Sequence, residues 1–285
     1  MQTVSVDNLV EHARPRTSEA LTTRERRSLA VQAFFGRIAF VVIGPAAVFL
    51  MRCARGNRIE GLRAARRVYQ QAVATGRPTL VCANHLTMFD SAYLLHAFGS
   101  TFDYLANFRL FSWNVPAVEN FTRSLFWRAV VYFGKCVPID RAGDAAHHRS
   151  VLDKLAYLVA NREVCMIFPE GGRSRTGRVE VEHVAYGVGR ILSALDRPQV
   201  VCAYLRGEKQ ATYSDTPARG DVLHLRTEVI EPTTDLRGMR GARDLAQQVI
   251  VKLREMEDRF FQAFPAARGD PAAGGGPRQL NGGAT

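Results

Sequence analysis

The sequence predicts an α/β fold, a largely parallel central sheet flanked by helices, with an N-terminal membrane-associated helical segment. Three observations carry that expectation. From Thr79 onward, short apolar and β-branched runs alternate with longer helical stretches, the pattern of parallel strands joined by crossover helices. Polar, charge-bearing motifs fall just where those runs end. An apolar stretch over 38–51 is followed at once by a cluster of arginines.

Residues 1–29 are polar and Arg-rich, with Pro15 as punctuation, and read as a basic lead-in. Residues 30–58 are the membrane-associated part. Their apolar core (IAFVVIGPAAVFLM) falls short of the roughly 20 residues that span a bilayer and contains Gly44 and Pro45. Extending it back to Ala30 takes in Gln32 and Arg37. A buried core helix has this composition too. Arg52, Arg55, Arg58, Arg63, Arg66 and Arg67, opposed only by Glu60, instead favour a re-entrant or interfacial anchor on an anionic leaflet. No cleavable secretory signal is expected, because the apolar run begins far from Met1 and lacks a small-residue cleavage site.

Residues 59–265 read as the α/β domain. Strands are expected at 79–83, 102–106, 136–139, 164–168, 200–205 and 222–230, and helices at 89–98, 117–133, 145–160, 183–195 and 242–264. Residues 266–285 are rich in Gly, Ala and Pro and too poor in large apolar side chains to fold, so a disordered tail is expected.

The net charge of +11 and pI near 9.9 call for an anionic partner. The arginines gather beside the apolar run and at loop ends, and no nucleic-acid motif is present, so the expected partner is an anionic membrane surface and not nucleic acid. Five scattered cysteines without a C-x-x-C spacing suggest neither a disulfide framework nor a zinc site, and place the protein at the reducing, cytoplasmic face.

Three motifs bear chemistry. The first is N-H-L-T-M-F-D, Asn84 to Asp90. His85 and Asp90 would lie roughly 140° apart on one helix, so they meet only if His85 sits on the preceding turn and Asp90 in the first helical turn. Thr87 and Asp90 have capping-box spacing, which places the helix start at Thr87. Asp90 is either a capping carboxylate alone or the partner that fixes the tautomer of a basic His85.

The second motif, F-P-E-G-G-R-S-R from Phe168 to Arg175, runs a strand into a Gly-Gly turn that offers backbone N–H groups and arginines to an anion. A glycine turn with solvated arginines has the same sequence. Glu170, following a hydrophobic strand and Pro169, could bind an acceptor hydroxyl. The third motif is V-P-I-D-R, Val137 to Arg141. Here Arg141 either forms a fork to phosphate or pairs with Asp140 or Asp144.

Taken together and in this order, N-H-x4-D, V-P-I-D-R and F-P-E-G-x-R-S resemble the motifs of the glycerolipid acyltransferase family, above all the 1-acylglycerol-3-phosphate (lysophosphatidic acid) acyltransferases. The resemblance covers roughly residues 79–207. It implies that His85 is the base that deprotonates an acceptor hydroxyl, with Asp90 orienting it. Arg141 resembles the family's phosphate-binding arginine, and Glu170 and Gly171 its acceptor-binding pair, with Gly172, Arg173 and Ser174 adjacent.

The implied reaction moves a fatty acyl group from acyl-CoA or acyl carrier protein to a lysophospholipid, directly and with neither metal nor resident cofactor. Glycerol-3-phosphate or an amino-acid-containing lysolipid is the alternative acceptor. The chain departs from the family pattern in three places. Gly172 stands where Thr is usual, V-V-C-A-Y at 200–204 lacks a Val-Pro, and Asn107 falls near a position often held by Lys.

Other classes fit less well. A serine hydrolase needs G-x-S-x-G, which does not occur. G-V-G-R-I-L at Gly187 is not a strand-to-helix dinucleotide fingerprint. His147-His148 reads as a solvated pair rather than a metal site. The aromatic run from Phe108 to Phe133, holding Trp113 and Trp127, reads mainly as a helix pair, with an acyl tunnel or membrane-facing rim as the alternative. A non-catalytic basic membrane- or nucleic-acid-binding protein would explain the charge but leave His85, Asp90 and Glu170 unused.

Overall fold

A computed structural model describes residues 21–122 and 124–265. The basic lead-in up to residue 20, Arg123 and the tail at 266–285 lie outside the described residues. The sheet has six strands in the order β1-β6-β5-β2-β4-β3, with β1 at Arg58–Glu60, β2 at Thr79–Ala83, β3 at Trp113–Asn114, β4 at Cys165–Ile167, β5 at Gln199–Gly207 and β6 at Val222–Ile230. Every pairing is parallel except β5 with β6.

All five residues of β2 and all nine of β5 are buried, as strands covered on both faces must be. Alternate residues face opposite ways, so the sheet feeds two cores. Leu80, Cys82, Cys165, Val200, Cys202 and Tyr204 pack with helices α6 (Ala145–Ala160), α7 (Gly187–Ser193) and α8 (Gly238–Ala263). Val81, Ala83, Met166, Val201, Ala203 and Leu205 pack with α2 (Leu62–Ala74) and α3 (Asp90–Phe98). The result is the flanked, mostly parallel sheet that the sequence predicts. At Gly189 a Cβ would collide with the Ala242 carbonyl, so glycine lets α7 press directly on α8.

Several elements differ from expectation. The stretch at 102–106 is a helix, α4 (Thr101–Ala106), because Ser100 and Asp103 close a capping box and overrule its aromatic, strand-like composition. Residues 136–139 make only isolated parallel bridges, Asn114 with Cys136 and Ala117 with Ile139, because Pro138 interrupts a continuous ladder. The expected helix at 117–133 is a 3-10 turn at Val118–Asn120 and then α5 at Leu125–Phe133. Strands β1 and β3 and helix α2 are additions, and α7 is shorter than expected.

Helix α1 (Thr23–Phe49) begins in a capping box between Thr22 and Glu25 and continues as a π-helical turn at Leu50–Ala54. One face, Leu29, Gln32, Gly36, Phe40 and Gly44, is buried against the domain along its length. Gln32 donates to the Tyr132 and Cys136 carbonyls, and Phe40 packs with Tyr104, Phe108 and Phe111. The opposite face leaves Val31, Phe34, Phe35, Ile38, Val41, Val42, Phe49 and Leu50 exposed. This apolar helix is long enough to cross a membrane and gives weak support for membrane association.

Candidate active site

The neighbouring strands β2 and β4 deliver the site. Strand β2 ends at Ala83, and Asn84 then ties the turn to β5: its side chain donates to the Leu205 carbonyl at 3.0 Å and accepts from the Leu205 N–H at 2.8 Å. This buried pair imitates one more rung of ladder and fixes where the chain leaves the sheet. His85 follows. Its carbonyl accepts from the Ser174 N–H at 2.9 Å, and its ring stacks on Phe168 at 4.0 Å and 15°.

His85 Nδ1 lies 3.0 Å from Asp90 Oδ2. Asp90 is buried, and the same oxygen accepts the N–H groups of Leu86 at 2.7 Å and Thr87 at 2.8 Å. Its other oxygen accepts the Thr87 hydroxyl at 2.5 Å. A carboxylate that already accepts three protein donors calls for a fourth donor at Nδ1, not an acceptor. That leaves the Nε2 lone pair open. The helix starts at Asp90, three residues later than the capping-box spacing suggests, because Thr87 receives no side-chain bond from the Asp90 N–H, which reaches the Thr87 carbonyl instead. Both readings of Asp90 therefore meet in one group: it ties the turn and faces the imidazole.

The second motif arrives from β4. Gly171 has φ +68° and closes a turn through its N–H to the Phe168 carbonyl at 3.0 Å, which accounts for glycine there. Glu170 Oε1 accepts the His85 N–H at 3.3 Å. Burial pushes the Glu170 carboxyl up to about 8, that one hydrogen bond opposing it only in part, with the negative charges of Glu257, Glu180 and Asp90 adding to the rise. Ser174 is buried, donates to the Arg178 carbonyl at 2.6 Å and accepts the Arg178 N–H at 3.0 Å, so its hydroxyl closes a local turn beside His85.

The two arginines stand differently. Arg141 reaches the Gly171 carbonyl at 3.0 Å and pairs with Glu119 at 3.3 Å, both side chains about half exposed. Its partners are thus neither Asp140, which accepts from the Ala142 N–H, nor Asp144, which caps α6. Arg173 is held by the Ser214 carbonyl and the Asp215 carboxylate and lies over Tyr213. A Cβ at Gly172 would meet nothing closer than Arg141 at 3.8 Å, so the missing threonine leaves space beside that guanidinium. The missing proline at 200–204 has a physical reason: β5 is paired on both sides there, and a proline would lack the ladder N–H.

A segment the sequence did not single out completes the turn. Ser214 N–H donates to the Leu86 carbonyl and Met88 N–H to the Asp215 carbonyl, so residues 213–215 brace the stretch between His85 and Asp90. The absence of any chemistry-bearing motif in that loop left no signal for it. His147 and His148 both bond the backbone of Asp140, at 2.9 and 2.8 Å, so they brace the 140–144 turn rather than lie solvated, and no candidate metal cluster occurs among the described residues. Asn107 caps the short helical turn at Phe108–Leu110.

Residues 65–205 match the acyltransferase family model, a span that opens in α2, takes in all three motifs and ends in β5. That match supports a general acyltransferase activity. A comparison with curated proteins finds no match.

Proposed function

We propose that the protein is a membrane-associated O-acyltransferase that moves a fatty acyl group from acyl-CoA or acyl carrier protein to the hydroxyl of lysophosphatidic acid or a related lysolipid. The observation that carries this reading is the His85–Asp90 pair at 3.0 Å, with the carboxylate occupied by backbone and hydroxyl donors and Nε2 left as the proton acceptor. Nε2 takes the acceptor's hydroxyl proton as that oxygen attacks the thioester carbonyl. The C–S bond then breaks, and the imidazolium returns the proton to the leaving thiolate. General-base catalysis contributes about 10²–10⁴-fold, so positioning of both substrates and stabilisation of the developing oxyanion must supply the rest.

Glu170, with its carboxyl raised to about 8 by burial, carries a proton at pH 7 and so donates as well as accepts toward the acceptor. Arg141, half exposed, bonded to the Gly171 carbonyl and joined to Glu119 by a surface pair of small worth, is the cation we assign to a phosphate. Arg173 holds the 213–215 loop and supports His85 indirectly. The test is an acyl-transfer assay of the purified full chain across lysophosphatidic acid, other lysophospholipids, glycerol-3-phosphate and an amino-acid-containing lysolipid, with both donor types. Turnover fastest on lysophosphatidic acid is expected. Equal rates on unphosphorylated acceptors would remove the phosphate assignment, and no transfer with any pair would remove the enzymatic reading.

A further inference from the structure

Helix α5 packs chiefly against α1 and leaves an apolar surface uncovered. Its nine residues, LFWRAVVYF, are almost all apolar, yet none is buried. Leu125 is 79% exposed and Phe126 67%, with Trp127 and Tyr132 also open. Isolated exposed apolar residues are ordinary on protein surfaces, but an entire apolar turn held outward marks a contact surface.

What covers it is indicated by its neighbours. The C-terminal half of α5 is fastened to α1, where Gln32 donates to the Tyr132 carbonyl and Gly36 lies so close to the Phe133 carbonyl that a Cβ would not fit. The apolar outer face of α1 from Val31 to Leu50, about 28 Å of helix by its rise per residue, therefore adjoins the exposed turn of α5. Exposed arginines bracket this surface, Arg24 and Arg27 before it, Arg52 after it and Arg128 within α5. Apolar side chains ringed by arginines fit the interface of an anionic bilayer. Because α1 and the turn after it are packed on the domain from Leu29 to Met51, the helix lies along the protein and leaves one side open.

We propose that α5 is a second lipid-inserting element, which with the outer face of α1 forms one docking surface and sets the mouth of the His85 site against the bilayer. The link to the site is direct: Trp127 lies 6.4 Å from Phe89, the residue before Asp90, and Met88 beside it is exposed. The proposal rests on the membrane-associated reading above and adds which element, next to the chemistry, enters the lipid.

The two tryptophans make it measurable, because Trp113 is buried and bonded to Glu163 whereas Trp127 is open. The full chain and its W127F variant are mixed with phosphatidylcholine–phosphatidylglycerol vesicles carrying brominated acyl chains, and flotation is measured alongside fluorescence. The expected result is flotation together with a blue shift and quenching in the wild type that W127F lacks. L125E/F126E should lower vesicle affinity on the order of tenfold while leaving turnover on a micelle-free, short-chain acceptor unchanged. Flotation without quenching of Trp127 would overturn the role of α5 and leave α1 as the sole anchor. No flotation would overturn the membrane reading and this proposal with it. Trp127 already shielded from acrylamide without lipid, in a particle of dimer mass, would assign the face to a second copy instead.

Discussion

Two carboxyl groups meet at His85, and their surroundings give them opposite characters. Asp90, at the start of α3, gathers the Leu86 and Thr87 N–H groups, the Thr87 hydroxyl and the imidazole around its two oxygens. Glu170, in the turn after β4, receives a single 3.3 Å hydrogen bond and lies in a site where burial pushes it up to about 8. Burial alone does not decide the role of an acid. The number of donors aimed at it does, because each hydrogen bond to the charged form offsets part of the desolvation penalty. In the reaction proposed above, the first group orients the base and the second faces the acceptor.

The largest effect should come from removing the ring between them. His85→Ala is expected to lower kcat by about 10²–10⁴-fold with the fold retained, measured by acyl-transfer kinetics beside circular dichroism. Asp90→Asn should cost less activity, roughly ten- to a hundredfold, since the proton acceptor stays while its tautomer is no longer enforced. It should also cost about 1–3 kcal/mol of stability by denaturant titration, because an amide cannot accept every donor that converges there. If Asp90→Asn lost stability but kept full activity, the carboxylate would be a turn fastener only.

Glu170→Gln separates the second acid from the first. A carboxyl raised in the folded state binds its proton more tightly there than when unfolded, so its contribution makes stability fall as pH rises from about 4.5 toward 8. The glutamine variant should flatten that part of the stability profile. The same variant should remove an alkaline limb near pH 8 from kcat/KM, and a limb that persists would belong to another group. Smaller still, Arg141→Lys should raise KM for a phosphate-bearing acceptor several-fold, on the scale of one charge-assisted hydrogen bond, with KM for the thioester unmoved. Equal changes in both constants would mean that Arg141 shapes the site without reading phosphate.

The contrast between the two acids was only partly legible in the sequence. Spacing alone required His85 on a turn and Asp90 at a helix start, and that is where they lie. Local hydrogen bonds to Leu86 and Thr87 then moved the helix start beyond Thr87, a detail that motif spacing does not encode. The same kind of local bonding turned 102–106 from an expected strand into α4, where Ser100 and Asp103 outweigh aromatic composition. The antiparallel course of β6, which follows β5 with no helix between them, was not read from the sequence, and β1, three residues long and paired to β6, has too little pattern to be seen. Asp215 grips Arg173 from 42 positions away, and the 213–215 brace reaches Leu86 and Met88 from far further along the chain, contacts that only the fold creates.

The tautomer of His85 is the point on which the account turns, and nitrogen-15 NMR of the imidazole reads it directly. In the wild type at mildly alkaline pH, with His85 assigned by comparison with His85→Ala, Nδ1 should carry the proton and Nε2 should give the signal of a bare ring nitrogen, and Asp90→Asn should mix the two forms. A proton found on Nε2 in the resting protein would contradict the account, since the nitrogen assigned to accept the acceptor's proton would already hold one.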